Sequence, residues 1–144
     1  MKNIKNLTLC LLLYDYRTCV LDIQQDLPMS CLTTVGDKYI LTAKMKLLNS
    51  EGNPFACDKN AAWGTALTCP QVTITVDHPT EGVKRFHYAN LESDAWEEDE
   101  WNDFRAIVTV NTIMSGGDSA FFYVQGPAPE VSIVFDDVEL TLDS

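Results

Sequence analysis

Cysteine, histidine, tryptophan and carboxylate side chains are where this chain of 144 residues could do chemistry. Of its 5 cysteines, Cys57 and Cys69 bracket an irregular segment, Asp58 to Thr68, that contains Gly, Asn and Trp. A bridge across that segment would tie the loop down and contribute about 3 kcal/mol by loop-closure entropy. The missing C-x2-C spacings and the lack of a histidine cluster argue against zinc on these thiols. A disulfide is the better reading, and it favours an oxidising compartment. The odd count leaves at least one thiol unpaired within the chain. Cys10, in an apolar run, is the expected one, as a small buried hydrophobe, and the pairing of Cys19 and Cys31 stays open.

Hydrolysis finds no such support. His78 beside Pro79 and His87 in a strand-like segment form no triad with a motif-borne Ser or Cys nucleophile. The acidic run Asp94-Ala95-Trp96-Glu97-Glu98-Asp99-Glu100-Trp101 lies in no motif that would fix two carboxyls at the roughly 5 to 9.5 Å used by glycosidases. It reads as a solvated connection between strands, and the chain as no enzyme.

The charge excludes further classes. With 10 Lys+Arg against 21 Asp+Glu, the net charge is −11. Carboxylates in that excess, without a basic cluster, repel phosphate backbones, so nucleic acid and anionic membranes are not expected partners. The apolar run Leu7 to Tyr14 is interrupted by Thr8 and ended by Asp15, far short of the roughly 20 residues that span a bilayer. Tyr14-Asp15-Tyr16-Arg17 is a poor signal-peptide cleavage region, so the run reads as a buried strand. Asn6-Leu7-Thr8 is a glycosylation sequon. With 46% apolar residues the chain can bury a core, and at roughly 100–200 residues per domain it is one domain over 1–144.

Positioning elements follow from a period of two. Tyr39, Leu41, Ala43, Met45 and Leu47 share one face of a strand, with Thr42, Lys44 and Lys46 on the other. Gln71 to Val76 repeats this with Val72, Ile74 and Val76 inward, and Phe104 to Val110 with Phe104, Ala106, Val108 and Val110 inward. Ala120 to Gln125 and Val131 to Leu142 complete the set. Gly- and Pro-containing turns separate them, and no window reads as an amphipathic helix. Short β-branched and aromatic strands in a chain of this size predict an all-β fold of two packed antiparallel sheets.

Three segments of the C-terminal third carry a resemblance: Trp101 to Val110, Ala120 to Pro127 and Ile133 to Leu140. With Arg17-Thr18, Ile23-Gln24-Gln25-Asp26-Leu27 and Gly36-Asp37-Lys38-Tyr39-Ile40-Leu41-Thr42-Ala43 upstream, they resemble the carbohydrate-binding modules of families 4, 9 and 22. These are galactose-binding-like jelly rolls that accompany xylanases and cellulases. The likeness covers about residues 9–142, and the segment around Cys57 and Cys69 looks most like secreted algal, diatom-type members. Against that family the chain begins near the second strand, which implies a missing first strand, a truncated start and neighbouring modules of a longer secreted protein.

The resemblance implies a non-catalytic module holding a polysaccharide or glycan on a concave sheet face. Tyr123 and Gln125 match the family's Tyr-x-Glu ligand pair, with an amide in place of the usual carboxylate. An aromatic plane stacks on the C–H face of a pyranose, and an amide offers both donor and acceptor. Arg17 matches a ligand-contacting arginine whose planar fork can bridge vicinal hydroxyls. Lys44 stands where many members have a binding-face tryptophan, and Trp96 is the candidate to restore an aromatic platform. Trp101 is expected to start a strand and pack; Trp63 is open to either role.

Asp136 is the remaining expectation. On the alternation Val134, Asp136, Val138, Leu140, Leu142 it points to the apolar face, where an unpaired carboxylate is costly. The resemblance implies a structural Ca²⁺ there as the one cofactor; hydrogen bonds to backbone amides are the alternative. The competing reading of the whole chain is an extracellular adhesion or protein-interaction module that has lost sugar binding.

Overall fold

Alternation between a buried and a wet side governs the chain over most of its length, and pairing follows from it. A computed structural model describes residues 3–5, 14–15, 25–89, 95–125 and 130–143. The described strands are β1 (Asn3–Lys5), β2 (Tyr14–Asp15), β3 (Gln25–Leu27), β4 (Lys38–Leu48), β5 (Gln71–His78), β6 (Gly82–Tyr88), β7 (Asn102–Thr109), β8 (Ser119–Gln125) and β9 (Ser132–Asp143). Two single helical turns interrupt them: a 3-10 turn at Met29–Cys31 and α1 at Thr112–Ser115, capped by Asn111 Oδ1 accepting from the Met114 amide at 2.9 Å.

All the strand pairs are antiparallel. One sheet runs β1-β9-β4-β7, with β2 also on β9; the other runs β3-β8-β5-β6. The two form the expected jelly-roll sandwich. Its core interdigitates the inward residues of both sheets: Tyr39, Leu41, Met45, Phe104 and Val108 from the first, Val72, Ile74, Phe122 and Val124 from the second. The predicted inward sets of β4, β5 and β7 are therefore all observed, and β8 turns Phe122 and Val124 inward. Cys31 is buried and free. The expectations for Cys10, Cys19, Arg17 and the sequon at Asn6 lie outside the described residues.

Tyr39 shows how the core treats a polar group. Its ring is fully buried, and its hydroxyl donates to the Cys31 carbonyl at 2.6 Å. Burial, with Cys31 and the Asp37 charge adding to it, pushes the phenol pKa up to about 12. An unfolded tyrosine ionises near 10, so the unfolded chain releases this proton first, and stability falls as pH rises from about 10 to 12. The expected loss is about 2 to 3 kcal/mol across that window. Urea titrations at pH 8 and pH 11.5 check it, and a pH slope of undiminished size in Tyr39→Phe would remove the assignment.

β9 departs from simple alternation. Ile133 and Leu140 are both buried although one is odd-numbered and the other even. The pairing with β4 explains this: Thr42 faces Glu139 and Lys44 faces Asp136, so β9 holds one extra residue. This is a β-bulge, and Asp137 sits in it at φ 49°. Asp136 is accordingly turned out and exposed, correcting the expectation that it faces the apolar side. Its Oδ1 accepts from the Asp137 amide at 2.8 Å.

Candidate functional site

β5 is buried on both sides from Gln71 to Val76. Its apolar residues enter the core, so Gln71, Thr73 and Thr75 form a polar row on the outer face of their sheet. Register places Gln125 beside Gln71, Tyr123 beside Thr73 and Phe121 beside Thr75 on β8, with His87 and Arg85 opposite on β6. Gln71 Nε2 donates to Gln125 Oε1 at 2.9 Å and lies 3.3 Å from His87 Nδ1. Thr73 Oγ1 lies 3.0 Å from the same Gln125 oxygen and 2.9 Å from His87 Nδ1. These partners hold the Gln125 amide in one orientation, with its oxygen turned into the row.

What remains unspent is chemically specific. Gln125 Nε2 makes no hydrogen bond among the described residues, and it is half-buried beside the half-buried Tyr123. Thr75 Oγ1 is buried with no partner among the described residues, a state that costs about 1–3 kcal/mol unless something supplies one. Phe121 and Tyr123 stand side by side, ring centroids 6.0 Å apart. Donors, acceptors and aromatic faces thus alternate along one flat strip with no fixed charge in the central row.

The predicted site residues divide between two faces. Tyr123 and Gln125 come together as expected, and Arg17 lies outside the described residues. Lys44 does not join them: it is on the outer face of the β1-β9-β4-β7 sheet, where its Nζ lies 3.5 Å from Asp103 Oδ1. Both side chains are about half exposed, so this pair contributes about 0–1 kcal/mol. An open groove of about 390 Å³ adjoins it, lined by Thr42, Lys44, Asp103, Asp137 and Glu139.

The tryptophans also differ from expectation. Trp96 is 8% exposed and belongs to the core, so it is no surface platform. Asn102 ties down the acidic loop that follows Trp96: its Oδ1 accepts from the Glu97 amide at 2.8 Å, and its Nδ2 donates to the carbonyls of Glu97 and Glu100, both at 3.0 Å. Trp101 is 40% exposed rather than packed, with Lys46 Nζ 4.8 Å above its ring. Glu97 to Glu100 are exposed, as a solvated connection requires.

Calcium at Asp136 does not fit the described residues. The carboxylate is exposed and already hydrogen-bonded to a backbone amide, and no group of three or more His, Cys, Asp or Glu converges among the described residues. Gln71, Thr73, Thr75 and His87 were not singled out as site residues. The signal for them is the outward set of β5, a Gln-Thr-Thr row too small and neutral to be a solvated face.

No family model and no curated protein matches the chain. Among solved structures it is similar to the CBM22-1 xylan-binding domain of Paenibacillus barcinonensis Xyn10C, at 13% identity and a TM-score of 0.44. The match covers 83% of this chain and 62% of that one, so the chain spans less than two thirds of the length of this neighbour.

Proposed function

We propose that this chain is a non-catalytic carbohydrate-binding module of the family 4, 9 and 22 type, laying a neutral polysaccharide or glycan along the outer face of the β3-β8-β5-β6 sheet. The observation that carries the reading is the half-buried Gln125 amide next to Tyr123, whose nitrogen makes no hydrogen bond among the described residues. A sugar brings both a hydroxyl for this amide and a C–H face for the phenol ring. Arg17 adds its guanidinium on the strength of the family resemblance. The Cys57–Cys69 disulfide supports an extracellular setting, and no helix among the described residues is long and apolar enough to cross a membrane. Any catalysis belongs to an associated glycoside hydrolase domain.

Retention on insoluble xylan, β-glucan, mannan and chitin tests this. Binding to at least one is expected, and weakened about tenfold or more in Tyr123→Ala, equivalent to about 1.4 kcal/mol. Loss in Lys44→Ala with Tyr123→Ala unchanged would move the site to the Lys44 groove on the other sheet. Failure to bind any of these or any arrayed glycan would leave the adhesion-module reading.

A further inference from the structure

The Cys57–Cys69 loop is not merely tied at its base. Asp58 pairs with Thr68 as a β-bridge, and the Asp58 amide donates to the Leu67 carbonyl at 2.7 Å. Inside it, Thr65 Oγ1 donates to the Ala62 carbonyl at 2.9 Å, and Thr68 Oγ1 lies 3.0 Å from that carbonyl and 2.9 Å from that of Thr65. The loop is thus held in shape, and beneath it is a cavity of about 160 Å³. Its walls include Trp63 from the loop and Met45, Trp96 and Phe104 from the core. Trp63 borders this space yet is 51% exposed.

The buried polar residues of the wall have little left to offer. Thr68 has its hydroxyl proton engaged within the loop, Asn102 uses both amide protons and its oxygen on the acidic loop, and Gln71 Nε2 is engaged with Gln125. A pyranose placed here would bury several hydroxyls with few partners, at a cost its C–H face does not recover. A cavity of about 150 Å³ with apolar walls is the size that accepts one benzene ring, and indole and phenyl walls favour an aromatic guest through offset or edge-on contact. A charge on the guest would leave water for walls formed largely by Met45, Trp63, Trp96 and Phe104, which is costly.

We infer that the cavity under the Cys57–Cys69 loop is a binding site for an uncharged, single-ring aromatic group, adjoining the strip on the β8-β5 face through Gln71 but not including Tyr123. The experiment is an NMR titration of the intact, oxidised chain with p-cresol, with methyl β-xyloside and cyclohexanol as comparison probes. Saturable binding is expected, with shift changes at Ala61 and Trp63. It should weaken about tenfold or more in Trp63→Ala, which removes a wall, and in Ala61→Phe, which fills the space. It should persist in Tyr123→Ala, so failure of the glycan reading leaves this one standing. No saturation by about 10 mM p-cresol, displacement by methyl β-xyloside, or equal affinity in both cavity variants would overturn the site. Cyclohexanol binding as tightly as p-cresol would overturn the aromatic assignment.

Discussion

Insertion of one glycine after Asp137 is expected to leave the chain without a cooperative fold, whereas deletion of Asp137 is expected to keep it. The bulge is what lets Ile133 and Leu140, of opposite parity, enter one core. Removing the one extra residue gives the two the same parity and a regular ladder with β4, whereas adding one shifts one half of β9 by a position, and a shift of one turns every side chain of that half over. If the C-terminal half turns, Leu140 moves to solvent at a cost of about 2 kcal/mol, and Glu139 turns inward, where an unpaired carboxylate costs several kcal/mol more. Together these approach the roughly 5–15 kcal/mol total stability of a domain. Thermal melts by circular dichroism and amide dispersion in NMR read the result, and a native-like melt for the insertion, or loss of the melt in the deletion, would refute the role of the bulge. Asp137→Gly is the control: it keeps the length and suits φ 49°, so it should match or exceed the parent by up to about 1 kcal/mol.

Opening the Cys57–Cys69 disulfide should cost about 3 kcal/mol, the loop-closure estimate for a link across 12 residues. Cys57 is 7% exposed, so alanine at both positions is preferable to serine, whose hydroxyl would be buried without a partner. Urea denaturation of Cys57→Ala/Cys69→Ala, and of the parent with reductant, should give equal losses. A change below about 0.5 kcal/mol in both would mean that the turns within the loop hold it unaided.

The inner sets of β4, β5 and β7 were legible because one side of each strand meets the core, which writes a period of two into the residue types. β6 was less so, read only as a strand-like segment around His87. Gly82 to Arg85 are all exposed on an edge strand, and only Phe86 and Tyr88 are half-buried. β9 misled because alternation counted through Asp136 assumes no extra residue. The trace of the bulge is the change of parity from Val131 and Ile133 to Leu140 and Leu142 on either side of the Asp136-Asp137 pair. Period two also says which side of its own strand a residue takes, never which sheet that strand joins. Lys44 and Tyr123 were therefore placed together when strand order sets them on opposite outer faces. Trp96 was obscured by its acidic neighbours, since nothing local reveals that it packs into the core while Asn102 ties down the loop after it.

The burial of β5 on both sides has a consequence for deuterium uptake. Its backbone is paired by β6 on one edge and β8 on the other, while six consecutive side chains from Gln71 to Val76 are shielded from water. Local fraying cannot reach such amides, so Thr73, Ile74 and Thr75 should exchange only when the whole domain opens. Their exchange rates then gauge global stability from within the native state, and serve as the common yardstick for the variants named above.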